Sequence, residues 1–537
     1  MKKTTPNPAD LTFFANLFTR IAEEMGGVLA RTAYSPNIKE RRDFSCALFD
    51  GAGQMIAQAA HIPVHLGAMP LSVATARAAF PKLAVGDVVM LNDPYAGGTH
   101  LPDITLISPV FGSAKRQPLA YLATRAHHAD VGGMTPGSLP LSREIYQEGL
   151  RIPPVRCVER GTINQAVFDL VFANSRTPAE RQGDLRAQLA AHTLGERRLL
   201  ESLERYGAPE LRRQMSQLLE YAATLMQATL KQIPDGSYSF VDQLDDDGAG
   251  SGPLPIRVEV RIRGDQAEID FTGSAPACAT SLNAVEAITQ SAVYYCFLCL
   301  LVTPSRLHPG RSSLPPINAG CFRPIAVHAP PGSIVNAEPP HAVAGGNVET
   351  SQRIVDAVLG ALAQALPDIV PAASQGTMNN VTLGGIDTRT GQPFAYYETL
   401  AGGMGARPNA DGLHAVQAHM TNTMNTPAEA LEYAYPLRVE RYEIVAGTGG
   451  KGTYRGGNGL IRDVRMLNDT HAVLLTERRT QAPYGLAGGE AGTPGDNGLI
   501  RGRQRKRLPG KIELELKAGD VLRIQTPGGG GHGAILT

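Results

Sequence analysis

Two stretches of this chain concentrate side chains that bind metals or move protons: "LNDPYAGGTHLPD" at 91–103 and "RAHHADVGG" at 125–133. The first holds His100-Leu-Pro-Asp103 and the second His127-His-Ala-Asp130, so H-x-x-D occurs twice at one offset (100 to 127, 103 to 130). Neutral imidazole and carboxylate together suit Zn²⁺, Mn²⁺ or Fe²⁺ and leave coordination positions for water or substrate. Gly97-Gly98 and Gly132-Gly133 beside them would let backbone approach a ligand without a Cβ in the way. A single H-x-x-D arises about once by chance in a chain like this, so the shared strand-then-glycine-loop context carries the argument. On the residues alone two readings stay open: a mononuclear metal or catalytic site, or structural polar groups. His127 fits the H-x-x-D pattern better than His128, because neighbours on an extended segment point to opposite sides.

The elements that must position these loops are legible as patterns. "FSCALFDGAGQMIAQA" (44–59) reads as two short strands around a glycine-rich turn, and "GDVVMLND", "ITLISPVF" and "LAYLATRA" read as sheet strands. Ahead of them, apolar residues recur at Leu11, Phe14, Leu17, Ile21, Met25 and Leu29, which predicts an amphipathic helix with Asp10 as its cap. From Pro178 to about Ile233 the composition is helical, with charges on a solvated face. After the linker-like "DDDGAGSGPLP", "IRVEVRIRGDQAEIDFTG" alternates as a hairpin should. Helices are expected near 282–302 and 347–366, and beyond about 390 the chain is strand-like and glycine-rich. The expected fold class is α/β (α+β), multi-domain, with mixed sheets and a β-rich C-terminal part. The expected regions are 1–240, 241–390 and 391–537.

Length and composition exclude several functions. At 537 residues, with roughly 100–200 residues per domain, the chain holds several domains, and 43% hydrophobic content can fill their cores. Fifty basic residues balance fifty acidic ones, so no polycationic surface argues for nucleic acid. The start shows no continuous apolar segment, and the longest apolar run, "SAVYYCFLCLLV" at 291–302, is too short to span a bilayer; the expectation is a cytoplasmic protein without a membrane partner. Cys296 and Cys299 form a CxxC inside that run, where buried core is the expected role.

Other motifs compete for attention. "GTGGKG" (447–452) satisfies G-x-G-x-x-G, but the following "TYRGGNG" cannot open a helix, and Val445 stands where a Walker A loop needs glycine. "TPGGGGHG" (526–533) is expected to be a structural turn rather than an anion nest, with His532 a candidate site residue. Glu144 and Glu148 stand at i and i+4, either able to serve as a base, with a solvated pair the simpler expectation. "HAVAGGNVETSQRIVDAV" and "SQGTMNN" place small polar groups beside glycines and are candidate pocket linings.

Taken together, "SPNIKERRDFSCALFD", "IPVHLGAMP", "NDPYAGGTHLPD", "RAHHADVGG", "EIYQEGLRIPP", "NVETSQRIVD", "GTMNN", "YRGGNG" and "GGGGHG" make the chain resemble the hydantoinase B/5-oxoprolinase family over nearly its whole length. The relatives include B-type subunits of ATP-dependent N-methylhydantoinases, the C-terminal half of 5-oxoprolinases and the metal-bearing subunit of acetone and acetophenone carboxylases.

The resemblance implies a divalent metal (Zn, Mn or Fe) held at positions matching His100, Asp103, His127 and Asp130. It also implies a division of labour. An A-type ATPase subunit, holding ATP and Mg, phosphorylates an amide or carbonyl-derived oxygen, and this chain completes the reaction at its metal within a hetero-oligomer. For a hydantoinase that reaction opens a five-membered cyclic amide, with Asp93, His128 or Glu148 as candidate base. The alternatives are a subunit of an ATP-dependent ketone carboxylase and a noncatalytic scaffold for an ATPase partner.

Overall fold

The strands expected between residues 44 and 127 are present and form the centre of an antiparallel seven-stranded sheet. The structure is a computed structural model that describes residues 7–59, 62–112, 117–303, 307 and 314–535. The sheet strands are β1 (Phe44–Asp50), β2 (Met55–Gln58), β3 (Val88–Leu91), β4 (Asp103–Phe111), β5 (Pro118–His127), β6 (Val155–Glu159) and β7 (Thr162–Ile163), in spatial order β2-β1-β5-β4-β3-β6-β7. Strand β1 is apolar almost throughout because both faces are covered. Cys46 and Leu48 pack with Phe18, Met25 and Leu29 of the first helix, whereas Ala47 and Phe49 join the larger cluster on the other face.

The first helix runs Pro8–Thr32 with Leu11, Phe14, Ile21, Met25 and Leu29 buried at the expected spacing. Its cap is Asn7, whose side chain accepts from Ala9 N, while Asp10 lies in the first turn rather than capping it. The helical stretch beyond Pro178 is two helices, Pro178–Tyr206 and Ala208–Leu230, divided at Gly207 with φ 79°. That backbone angle ends a right-handed helix and favours glycine.

A second, four-stranded sheet contains the expected hairpin, Leu254–Arg263 paired with Gln266–Asp270. Helices Glu286–Val302 and Ser351–Ala365 pack beneath it, and one apolar cluster takes in Phe49, Val258, Phe297 and Val355. Cys296 is buried in that cluster and the thiols of the CxxC are free. Among the described residues no helix is long and apolar enough to cross a membrane.

The C-terminal part supplies two further sheets of four and five strands. Between them "TPGGGGHG" is not a local turn. The N–H groups of Gly528, Gly529, Gly530 and Gly531 donate to the carbonyls of Thr493, Gly457, Ala373 and Glu490, all remote in sequence. A Cβ built on Gly530 would lie 2.0 Å from the Tyr484 carbonyl oxygen, so glycine is required here for close backbone approach. "GTGGKG" belongs to the same layer, with Gly450 N donating to Gly529 O.

Candidate metal centre

Antiparallel pairing brings the two histidine-bearing loops together. The first residue of β4, Asp103, lies directly opposite the last residue of β5, His127. His100 is added by the turn that enters β4, closed by a hydrogen bond from Asp103 N to His100 O of 3.1 Å. His100 Nε2 is then 3.1 Å from Asp103 Oδ1, His127 Nδ1 is 3.3 Å from the same oxygen, and the two nitrogens are 3.2 Å apart.

A triangle of this size fits a divalent ion. Ligand atoms about 2.0–2.1 Å from a tetrahedral ion stand about 3.3–3.4 Å from one another. Protons satisfy the arrangement less well: one edge sets nitrogen against nitrogen, and both nitrogens compete for one carboxylate oxygen, all with the three residues buried. A cation at the centre would satisfy all three atoms at once. Among the described residues, His100, Asp103 and His127 form the group whose ligand atoms all lie within 4.8 Å of one another.

Behind the triangle Asp103 is held from its other oxygen. Oδ2 accepts from Thr99 Oγ1 at 2.5 Å and meets His65 Nε2 at 3.3 Å, and His65 Nδ1 is 2.8 Å from Ser45 Oγ. Burial would push the Asp103 carboxyl upward, yet the charges of His100 and His65, with imidazole hydrogen bonds, hold it well below the usual carboxylate range. Burial lowers His127 below the ordinary imidazole value despite Asp103 beside it. Its ring stacks on Tyr397 at 4.6 Å, and the Arg41 guanidinium lies 4.8 Å from that tyrosine ring.

The structure does not bring Asp130 to this group. Its carboxylate pairs with Arg176 Nη1 at 3.0 Å and accepts from the backbone N–H groups of Arg176, Gly132 and Gly137. The physical reason is direction: the first H-x-x-D leads into a strand, whereas the second leaves one, so Asp130 is carried past the sheet's end toward the segment before helix Pro178–Tyr206.

Two of the three candidate bases are also engaged elsewhere. Asp93 caps a short turn through Tyr95 N and pairs with Arg151 Nε at 2.8 Å. His128 points to the opposite side from His127, with Nε2 3.1 Å from Gln188 Oε1, and burial followed by the Arg181 charge pushes it down to about 4. Its side chain is buried in the core.

Glu148 departs from the solvated pair expected with Glu144. Its side chain is fully buried, Oε1 accepts from Ser142 Oγ, Val343 N and Ala344 N, and Oε2 has no partner. Burial pushes this carboxyl up to about 7 against those hydrogen bonds, with His100 among the charges that act on it. A group so placed can gain or lose a proton near neutral pH.

The triangle borders a cavity of about 20 Å³, room for a water molecule or an ion. Asn347, Val348 and Met378 from the two glycine-flanked stretches line it, as do Asp43, His65 and Tyr397. Asn347 sits in a π-helical turn, Gly346–Thr350, with Nδ2 3.1 Å from His100 Nε2. Asp43, His65, Ser45 and Tyr397 were not singled out by spacing. Ser45 and Tyr397 lie on strands, Asp43 immediately before β1 and His65 at the end of a single 3-10 turn, and only through-space packing brings them here.

The profile of the Hydantoinase B/oxoprolinase family matches residues 7–535. The chain belongs to the hydantoinase B/oxoprolinase family. It is 39% identical to 5-oxoprolinase 1 of Arabidopsis thaliana over 99% of this chain, but it spans only 42% of that protein. It is 32% identical to a putative B-type subunit of a D-/L-hydantoinase from a Pseudomonas strain, covering 96% of this chain and 88% of the relative. The crystal structure of an ATP-dependent caprolactamase from Pseudomonas jessenii has a TM-score of 0.90 at 30% identity, over 99% of this chain and 92% of that one. The hydantoinase B fold is therefore established for this protein, with mixed helices and several sheets.

Proposed function

We propose that this member of the hydantoinase B family is the metal-bearing component of an ATP-dependent cyclic amide hydrolase, opening a five-membered ring amide that a partner ATPase subunit has activated by phosphorylation. The observation that carries the reading is the buried triangle of His100, Asp103 and His127, sized for a divalent ion. The names of its relatives support the class: one is a 5-oxoprolinase, another a hydantoinase subunit, and the solved neighbour an ATP-dependent caprolactamase. Phosphorylation of the amide oxygen removes the resonance that makes the ring carbon a poor electrophile, so water can add there. The ring C–N bond then breaks with nitrogen leaving as the protonated amine, and hydrolysis of the resulting acyl phosphate releases the carboxylate and phosphate, which explains why ATP accompanies such chemistry.

A bound divalent ion would polarise oxygen and make water a usable nucleophile near pH 7. His100, Asp103 and His127 would hold it. Glu148 is the proton acceptor of choice, because its free Oε2 can take a proton at about neutral pH while Oε1 stays fixed by Ser142, Val343 and Ala344. The cavity as it stands is far smaller than a ring substrate, so its lining must open for substrate to enter.

The test is metal analysis of the purified chain together with an assay using hydantoin, N-methylhydantoin and 5-oxoproline, with ATP and Mg²⁺, with and without the A-type subunit. Stoichiometric metal and ring opening only with both subunits is the expected result. ATP-coupled opening by this chain alone would overturn the two-subunit reading, and a metal-free active complex would overturn the metal.

A further inference from the structure

The carboxylate at one corner of the triangle is approached from behind by a chain of two side chains that the proposed reaction does not itself use. Ser45 Oγ, on β1, lies 2.8 Å from His65 Nδ1, and His65 Nε2 lies 3.3 Å from Asp103 Oδ2. All three are buried. Ser45 Oγ also lies 3.4 Å from Ile62 N, which donates to it.

Donors and acceptors can be assigned along this chain. Ser45 Oγ accepts a hydrogen bond from Ile62 N, so its own hydroxyl hydrogen is free to point at His65 Nδ1. When it does, that nitrogen accepts, and a neutral ring would carry its proton on Nε2, facing Asp103 Oδ2. Thr99 Oγ1 donates to the same oxygen. Oδ2 is thereby occupied twice from behind, and Oδ1 is left to the two imidazoles of the triangle. The order is the reverse of a nucleophile triad, in which serine meets Nε2 and the carboxylate meets Nδ1, so Ser45 is not a nucleophile here.

We propose that Ser45 and His65 are positioning residues for the metal centre: Ser45 fixes the tautomer of His65, and His65 fixes the rotation of Asp103 so that Oδ1 faces the ion. His65 lies outside the group of three whose ligand atoms converge, so it acts on the ion through Asp103. Partners of this kind hold the orientation and basicity of a metal ligand, and their loss typically costs 10–100-fold in metal affinity. The inference rests on the metal reading above for its consequence, but the chain of contacts itself, Ser45 Oγ to His65 Nδ1 and His65 Nε2 to Asp103 Oδ2, exists without a metal.

Two measurements separate those dependences. In the metal-free protein, ¹⁵N spectra of histidine side chains, with the His65 signal assigned through His65→Gln, should show the Nε2–H tautomer of His65, and Ser45→Ala should lessen that preference. An Nδ1–H tautomer in the parent protein would overturn the relay whether or not a metal binds. With Zn²⁺ or Co²⁺ added against a competing chelator, His65→Ala should bind 10–100-fold more weakly than the parent. His65→Gln, whose amide can still donate to Oδ2, should recover most of that loss, and Ser45→Ala should lose only a fewfold. Parent-like affinity in folded His65→Ala would overturn the positioning role. Absence of metal binding by the parent protein would instead defeat the metal reading and, with it, the consequence assigned to the relay.

Discussion

Asp103 and His127 are cross-strand neighbours in the β4–β5 pairing, and their facing atoms, Oδ1 and Nδ1, are 3.3 Å apart. One strand opens with the carboxylate and the next closes with the imidazole. The site is therefore built on a sheet, which holds such geometry more tightly than loops do.

Replacing Asp103 by asparagine should remove the metal and also weaken the metal-free fold. The folded carboxyl is held well below its ordinary range, so its contribution is present above the unfolded value of about 3.9 and is lost as pH falls through the folded one. Thermal melts with chelator present should show the variant less stable than the parent at pH 7, with the gap closing below about pH 4. An unchanged gap across that window would show that the His100 and His65 charges do not hold the carboxylate.

Asp130→Ala separates the two H-x-x-D motifs. Its partner Arg176 is 29% exposed while Asp130 is buried, so the loss should be about 2–3 kcal/mol rather than the full cost of breaking a wholly buried pair. Metal content should stay at the parent level. Metal loss in a folded Asp130→Ala protein would return Asp130 to the ligand set.

Glu148 predicts a pH dependence of opposite sign to that of Asp103. Its folded pKa of about 7 stands above the ordinary 4.5, so the fold favours the protonated form, and this group's contribution to stability declines as pH rises from about 4.5 to 7. Activity should move the other way, falling about tenfold per pH unit below 7, because the acceptor must be ionised. Glu148→Gln should abolish both slopes and lower kcat by about 10²–10⁴-fold. A variant that keeps the parent's acid limb would assign that limb to another group.

The glycine layer yields a paired prediction. Gly530→Ala would place a Cβ 2.0 Å from the Tyr484 carbonyl oxygen, and the backbone cannot yield on either side, so little folded protein should be recovered. Lys451→Ala, at an exposed side chain in the neighbouring "GTGGKG", should leave ATP-dependent turnover of the assembled enzyme within a fewfold of the parent. A collapse of ATP binding in Lys451→Ala would make that stretch a nucleotide site.

Local pattern was enough for much of this molecule. The spacing from Leu11 to Leu29, the alternation around Arg263-Gly264-Asp265 and the runs that became β3, β4 and β5 depend on periodicity alone, which sequence displays directly. The repeated H-x-x-D likewise singled out His100, Asp103 and His127, whose side chains the fold brings together. It could not separate Asp103 from Asp130, because the two motifs are alike as strings and differ only in running into or out of a strand. Nor could it show that Glu148 is buried or that His65 reaches Asp103, since burial and side-chain approach depend on segments far apart in the chain. The glycine run was legible as unusual, but whether it turned or threaded between neighbours depended on carbonyls contributed by residues 373, 457, 490 and 493. Composition and periodicity are properties of neighbouring residues, whereas a site is a convergence of distant ones, and only tertiary packing decides which distant groups meet.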